Sequence, residues 1–89
     1  MDDNYKYLFS TVLYSKLKEK IIGKIFTRVV YNDTLLINIM SYDNIEFVME
    51  INNFSEKILN GYSTDYAVYE VMNKYQKFIT NQVMKKYFV

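Results

Sequence analysis

The sequence contains no cysteine and no histidine among its 89 residues. These absences remove disulfides, thiolate nucleophiles, the usual zinc sites and the commonest general base at neutral pH. With only two glycines the chain also has no glycine-rich phosphate loop. Asp65 and Glu70 are therefore a carboxylate pair with nothing to complete a mechanism, and helix capping and solvated helix faces account for them. We expect a protein that is not an enzyme and that has no catalytic residues, no metal site and no cofactor.

Proline is also absent, and arginine occurs once, at Arg28, whereas lysine, asparagine, isoleucine and tyrosine are abundant. This composition is typical of proteins encoded by AT-rich genomes, which points to low-GC bacteria and their mobile elements.

Neither charge nor hydropathy points to nucleic acid or to a membrane. Eleven basic and ten acidic residues give a net charge of +1, which is too small for the basic surface that binds a duplex. No apolar run reaches the roughly 18 to 20 residues of a membrane span, and Met1 is followed by two aspartates instead of a signal segment. We expect a cytoplasmic protein.

What the chain does contain is apolar and aromatic surface. Hydrophobic residues make up 51% of the sequence, and ten tyrosines and six phenylalanines supply large contact areas. We therefore expect residues 1–89 to fold as one domain. A domain of this size buries only about 60 to 65% of its unfolded surface, so a partner or a second copy, as in a homodimer, is expected to add stability.

The C-terminal part of the chain predicts one long helix. Ser63 or Thr64 can cap its first turn, and Asp65 places negative charge at the positive end of the helix dipole. Apolar residues then recur at steps of three and four, which predicts a buried stripe of Val68, Val71, Met72, Tyr75, Phe78, Ile79 and Val83.

A short helix is predicted just before the long one. Asn53 and Glu56 have the spacing of a capping box, and Gly61 follows at the position of a left-handed C-terminal cap.

The N-terminal part predicts another helix, capped by Asp2, Asp3 or Asn4 and ended by Gly23. Its expected apolar stripe consists of Leu8, Phe9, Val12, Leu13, Leu17 and Ile21.

Three runs rich in β-branched and aromatic residues follow, at 25–31, 34–40 and 45–51. They predict a meander of three antiparallel strands. The third alternates cleanly between apolar and mostly polar residues, whereas the second carries apolar residues on both faces.

The register of the first hairpin depends on its turn. A turn of just Asn32 and Asp33 puts Leu35, Ile37 and Ile39 on one face with Phe26, Arg28 and Val30. A turn one residue longer or shorter puts them with Ile25, Thr27, Val29 and Tyr31 instead. In either case one face packs under the helices and the other keeps apolar surface.

The predicted order is helix, three-stranded antiparallel meander, short helix and long C-terminal helix, with the helices on one sheet face. This is an α+β fold.

Two resemblances accompany this prediction. At GYSTDYAVYEV (61–71) and KYQKFI (74–79) the sequence resembles small uncharacterised proteins encoded in prophages and conjugative elements of low-GC Gram-positive bacteria. The element order is similar to that of small phage anti-CRISPR proteins that inhibit type II-A Cas9, in which a three-stranded sheet also lies beside terminal helices. The resemblance implies a phage protein that inhibits host defence by stoichiometric protein binding, with a CRISPR effector as an example of its partner.

Tyrosines are the leading candidates for a partner-binding site, because tyrosine combines rigid contact area with a polar group and is enriched at interface hot spots. Closing the core edge is an alternative role for them. The exposed sheet face supplies charged candidates as well. The expected partner-binding residues are Tyr62, Tyr66, Tyr69, Arg28, Glu46 and Glu50.

Two other functions remain open from the sequence. One is an oligomeric protein that binds a small molecule such as a nucleotide immune signal, and the other is a regulatory or accessory protein of a prophage.

Overall fold

The computed structural model describes residues 4–31 and 33–88. The predicted α+β order is confirmed, with helices making up 57% and strands 25% of these residues. The elements are α1 (Asn4–Lys20), β1 (Lys24–Val30), β2 (Thr34–Met40), β3 (Glu46–Asn52), α2 (Phe54–Leu59) and α3 (Thr64–Phe88). The possible caps Asp2 and Asp3 lie outside the described residues.

The three strands form one antiparallel sheet in the order β1-β2-β3. Val30 pairs with Thr34, so residues 31–33 connect β1 to β2. This is the longer of the turns considered, and it pairs Ile25 with Ile39. The inner face of the sheet therefore carries Ile25, Thr27 and Val29 from β1, Leu35, Ile37 and Ile39 from β2, and Phe47, Met49 and Ile51 from β3.

The helices cover this inner face. In α1 the residues Phe9, Leu13 and Leu17, spaced by four, are buried against the sheet. Leu8, which we expected on the same stripe, is 65% exposed. It precedes Phe9 by one position, which is about 100° around a helix of 3.6 residues per turn, so it lies beside the stripe.

One buried position of α1 carries a polar residue, which the pattern of apolar residues in the sequence does not indicate. Ser10 is buried, and its hydroxyl donates a hydrogen bond to the Thr27 hydroxyl at 3.1 Å. The Thr27 hydroxyl in turn donates to the Ser10 carbonyl at 3.1 Å. These hydrogen bonds join α1 to β1 and leave neither hydroxyl without a partner.

The start of α2 corrects the expected capping box. Asn53 adopts a left-handed conformation (φ 54°) and makes no side-chain capping bond. The cap comes instead from Asp33, whose carboxylate accepts from the Ser55 N–H at 2.9 Å and whose carbonyl accepts from the Phe54 N–H at 3.2 Å. A loop distant in sequence therefore replaces the local cap.

The long helix α3 begins as predicted, since the Ser63 hydroxyl accepts from the Tyr66 N–H at 3.1 Å. Its predicted stripe is buried only at the beginning. Val68 and Val71 are in the core, whereas Val83 is 47% exposed. The reason is length: 25 residues make a helix of about 37 Å, longer than the seven-residue strands it packs against.

Among residues 4–31 and 33–88, no helix has both the length and the apolar character that crossing a membrane requires.

Candidate partner-binding surfaces

The six predicted partner-binding residues lie on two separate surfaces. The three tyrosines belong to the helix layer, at the α2–α3 turn and the start of α3. The three charged residues lie on the outer sheet face, because they alternate with the buried residues of their strands. We call the first group, Tyr62, Tyr66 and Tyr69, the tyrosine patch, and we call the face that carries Arg28, Glu46 and Glu50 the outer sheet face.

The turn between α2 and α3 positions the tyrosine patch. Gly61 has a φ of 95°, and the hydrogen bonds around it close the end of α2: the Gly61 N–H donates to the Ile58 carbonyl at 3.0 Å and the Tyr62 N–H to the Lys57 carbonyl at 2.8 Å. This is the Schellman arrangement, and it confirms the predicted glycine stop. With Ser63 capping α3 directly afterwards, Tyr62 is held between two fixed helix ends.

Tyr62 is partly buried and is anchored on the core. Its ring stacks on Phe9, with 5.8 Å between centroids and 19° between planes. Its hydroxyl oxygen is buried and has no hydrogen-bond partner within the described part of the chain. The Glu70 carboxylate lies close to this hydroxyl. Burial, and after it this carboxylate, raises the pKa of Tyr62, so the phenol stays protonated and is able to donate a hydrogen bond.

Tyr66 and Tyr69 extend the patch into solvent. Tyr66 contacts Tyr62 edge-on at 5.6 Å between centroids, and Tyr69 follows at 6.2 Å from Tyr66. Their exposed fractions are 55% and 64%, so neither closes the core edge. The alternative role therefore fits Tyr62 alone.

A hollow of about 740 Å³ lies beside the patch, between α2 and α3, and we call it the α2–α3 hollow. Tyr62 and Tyr66 form its aromatic wall. Glu56, Glu70 and Lys57 are the charged residues around it, and the Lys57 ammonium lies 6.0 Å from the centre of the Tyr62 ring. The two carboxylates outnumber the one ammonium, so the hollow favours a neutral or cationic group.

A second hollow, of about 600 Å³, lies between α1 and α3 and is lined by Tyr69. Lys16 extends from α1 to α3, where its ammonium donates to Asp65 at 2.8 Å and to the Thr64 hydroxyl at 2.6 Å. The hydrogen bond and charge of Lys16 lower the pKa of Asp65. Since Tyr66 lines one hollow and Tyr69 the other, the two rings form a ridge between them.

The acidic residues do not gather into a site. Asp65 is paired with Lys16, whereas Glu70 lines the α2–α3 hollow, so the two carboxylates face different neighbours. In the described ranges, no three acidic side chains come close enough together to hold a metal ion.

On the outer sheet face, the basic and acidic residues lie on different strands. Across the three strands, Lys24 is in register with Met40 and Glu46, and Arg28 with Leu36 and Glu50. Basic residues therefore lie along β1, apolar residues run through the middle, and acidic residues lie along β3.

Sequence reasoning missed the residues that build the α2–α3 hollow. Glu56 was assigned to a cap, and Lys57 was not considered. The short connection after Gly61 is a sign that α2 must end against the first turn of α3. The stacking of Tyr62 on Phe9, by contrast, joins residues far apart in the sequence, and no local pattern indicates it.

Comparisons with known proteins add no further assignment: no family model, no curated protein and no solved structure matches this chain. The surfaces of the molecule and its element order are therefore the basis for a functional proposal.

Proposed function

We propose that this protein acts by binding another protein stoichiometrically, without catalysis, and that the tyrosine patch is the contact surface. The observation that carries the proposal is the ridge of Tyr66 and Tyr69, two large rings held in solvent between two hollows. Aromatic residues that anchor an interface commonly take this form, with pockets beside them for side chains of the partner.

The patch is held in place before binding, which favours affinity. Tyr62 is stacked on the core, Tyr66 leans edge-on against Tyr62, and the Lys16–Asp65 bond ties the first turn of α3 to α1. A tyrosine loses little conformational freedom on binding, because it has only two side-chain torsions. Less ordering is then required when the partner arrives.

The charges of the α2–α3 hollow indicate what enters it. A partner's arginine or lysine could lie against the Tyr62 and Tyr66 rings and pair with Glu56 or Glu70. A partner group that accepts a hydrogen bond could also satisfy the buried Tyr62 hydroxyl. A partner segment that carries a basic residue beside a carbonyl or amide fits both features.

The target class that we propose is a bacterial defence protein, in the cytoplasm of a bacterial host, with this chain as the inhibitor encoded by a phage or mobile element. The support for this class is the similarity of the element order to that of small Cas9 inhibitors. A type II-A Cas9 is therefore the first target to test.

The test is a titration of the protein into a fixed amount of Cas9 with its guide RNA, with DNA cleavage as the readout. Inhibition should saturate near a fixed molar ratio. Inhibition that is complete at strongly substoichiometric amounts would show turnover and contradict binding as the mechanism. Full cleavage at large excess, together with no complex on a sizing column, would reject Cas9 as the target.

The α2–α3 hollow also makes a small ligand the second candidate function, because its volume of about 740 Å³ suits a drug-sized molecule. Its excess of carboxylates opposes a nucleotide phosphate, which is the reason we place this function second. Isothermal titration with a nucleotide panel separates the two: micromolar binding of a nucleotide that Tyr66→Ala abolishes would favour the small-molecule function.

A further inference from the structure

The outer sheet face holds apolar side chains that the helices do not cover. Phe26 is 61% exposed and Val48 is 51% exposed, and Val30, Leu36 and Met40 are partly exposed beside them. Phe26 and Leu36 also border a shallow hollow of about 330 Å³ on this face. An apolar surface flanked by charges is typical of a contact site.

The charges on this face match a second copy of the same face. Consider two copies stacked face to face about a two-fold axis that runs parallel to the strands and passes over β2. Each row of residues across the sheet then meets the same row of the other copy in reverse order, so β1 lies over β3. Lys24 meets Glu46, and Arg28 meets Glu50, in both halves of the interface.

The same operation also matches the apolar residues. Phe26 of each copy meets Val48 of the other, because these two residues share a row with Asn38. Leu36 meets Leu36 and Met40 meets Met40 on the axis. Asn38, which donates to the Glu46 carboxylate at 3.1 Å within one copy, meets its own symmetry mate.

A two-fold axis across the strands gives the opposite result. It would stack β1 on β1 and β3 on β3, with basic residues against basic and acidic against acidic. Like charges held together across an interface oppose association. The register of the sheet therefore selects one arrangement, the aligned face-to-face packing common between sheets.

We infer that the outer sheet face is a homodimer interface in which β1 of each copy lies over β3 of the other. Arg28, Glu46 and Glu50 then bind a second copy of this chain, and the tyrosine patch on the helix layer stays free. The face is small, roughly 23 by 14 Å for seven-residue strands, below the roughly 800 Å² per partner of a standard interface. The dimer is accordingly weak and depends on concentration.

The test is analytical ultracentrifugation from low micromolar to millimolar concentration. The wild type should show a monomer–dimer equilibrium that added salt weakens, because exposed charge pairs are screened. One variant, Glu46→Lys with Glu50→Lys, makes the charged residues of the face all basic, and another, Lys24→Glu with Arg28→Glu, makes them all acidic. Each alone should self-associate at least about tenfold more weakly than the wild type.

An equal mixture of the two variants is the decisive sample. In the proposed arrangement each β1 then again meets a β3 of opposite charge, so a heterodimer should form at least as well as the wild-type dimer. The matched control is Lys74→Glu with Lys77→Glu, which changes the net charge as much as the acidic variant does but on an exposed side of α3. It should leave the dimer unchanged.

Three outcomes would overturn the inference. They are a wild type that stays monomeric at millimolar concentration, reversed variants that self-associate like the wild type, and a mixture whose components stay apart. Circular dichroism of each variant shows whether it is folded, and these substitutions are at exposed positions where the fold should tolerate them.

Discussion

Tyr62 is the single residue that links the core to the tyrosine patch. Its ring stacks on Phe9, which itself contacts Phe54 at 6.3 Å between centroids, and it also meets the Tyr66 ring in a T-shaped contact. Loss of Tyr62 would therefore weaken the fold and the patch together. Tyr66 and Tyr69 are the better positions for testing the patch, because their exposure separates binding from stability.

Gly23 is a residue where backbone geometry admits no side chain. Its φ is 149°, and an added Cβ would collide with the carbonyl oxygen of Met40 in the neighbouring strand. We predict that Gly23→Ala lowers the free energy of unfolding by more than about 1 kcal/mol, measured by urea denaturation.

Gly61→Ala is the matched control for that prediction. Gly61 also has a positive φ, 95°, but an added Cβ meets nothing within 4 Å. Its cost is the left-handed strain alone, about 1 kcal/mol. An equal or larger loss at Gly61 than at Gly23 would contradict the close approach of β2 to Gly23.

The short helix α2 depends on a residue outside its own segment. Asp33 caps it from the β1–β2 connection, and the cap also fixes this connection beside the end of β3. We predict that Asp33→Ala costs about 1 kcal/mol of stability at pH 7 in thermal or urea unfolding. Asn53→Gly should cost less or stabilise, since Asn53 is left-handed and makes no side-chain cap.

The pH dependence of the Asp33 effect has a definite sign. Hydrogen bonding by Ser55, first from its side chain, holds the pKa of Asp33 below its ordinary value of 3.8. Its contribution is therefore fully present above pH 3.8 and is lost as the pH falls through the folded-state pKa. The stability difference between wild type and Asp33→Ala should shrink below that pH. A difference that grows in acid would show that the carboxylate is not the cap.

The elements show what sequence patterns can and cannot predict. The helical period of α1 predicted its buried face except at Leu8, and the period of two in β3 predicted the buried face of that strand, because each pattern reports burial directly. The register of the β1–β2 hairpin stayed open, because β2 is apolar on both faces and either pairing places a set of apolar residues on the inner face. The cap of α2 was misassigned, because a local match of Asn53 and Glu56 cannot reveal Asp33.

The two candidate binding surfaces could also be predicted only in part. For Tyr66 and Tyr69 the sequence left two roles open, a partner contact or closure of the core edge, although both lie away from Val68 and Val71 on the helix. The sequence could not predict that these tyrosines lie on a different surface from Arg28 and the acidic residues of β3, because this depends on which sheet face the helices cover.

At the scale of the whole molecule, the layered fold separates two kinds of contact. The helix layer presents the tyrosine patch, and the outer sheet face presents alternating charges and apolar groups. The molecule measures 52 × 23 × 20 Å, and the exposed end of α3 contributes to the long dimension. A dimer formed through the sheets would carry two tyrosine patches on opposite outer sides, so one dimer could engage two copies of a target.

The tyrosine patch is the surface that we propose binds the target. Isothermal titration against the Cas9–guide complex is the direct test, with Tyr66→Ala and Tyr69→Ala compared with Tyr87→Ala, a tyrosine at the far end of α3 that is 70% exposed. We predict that each patch variant weakens binding by more than about 1 kcal/mol with little change in melting temperature, and that Tyr87→Ala binds like the wild type. Undiminished binding by both patch variants, or an equal loss with Tyr87→Ala, would contradict the claim.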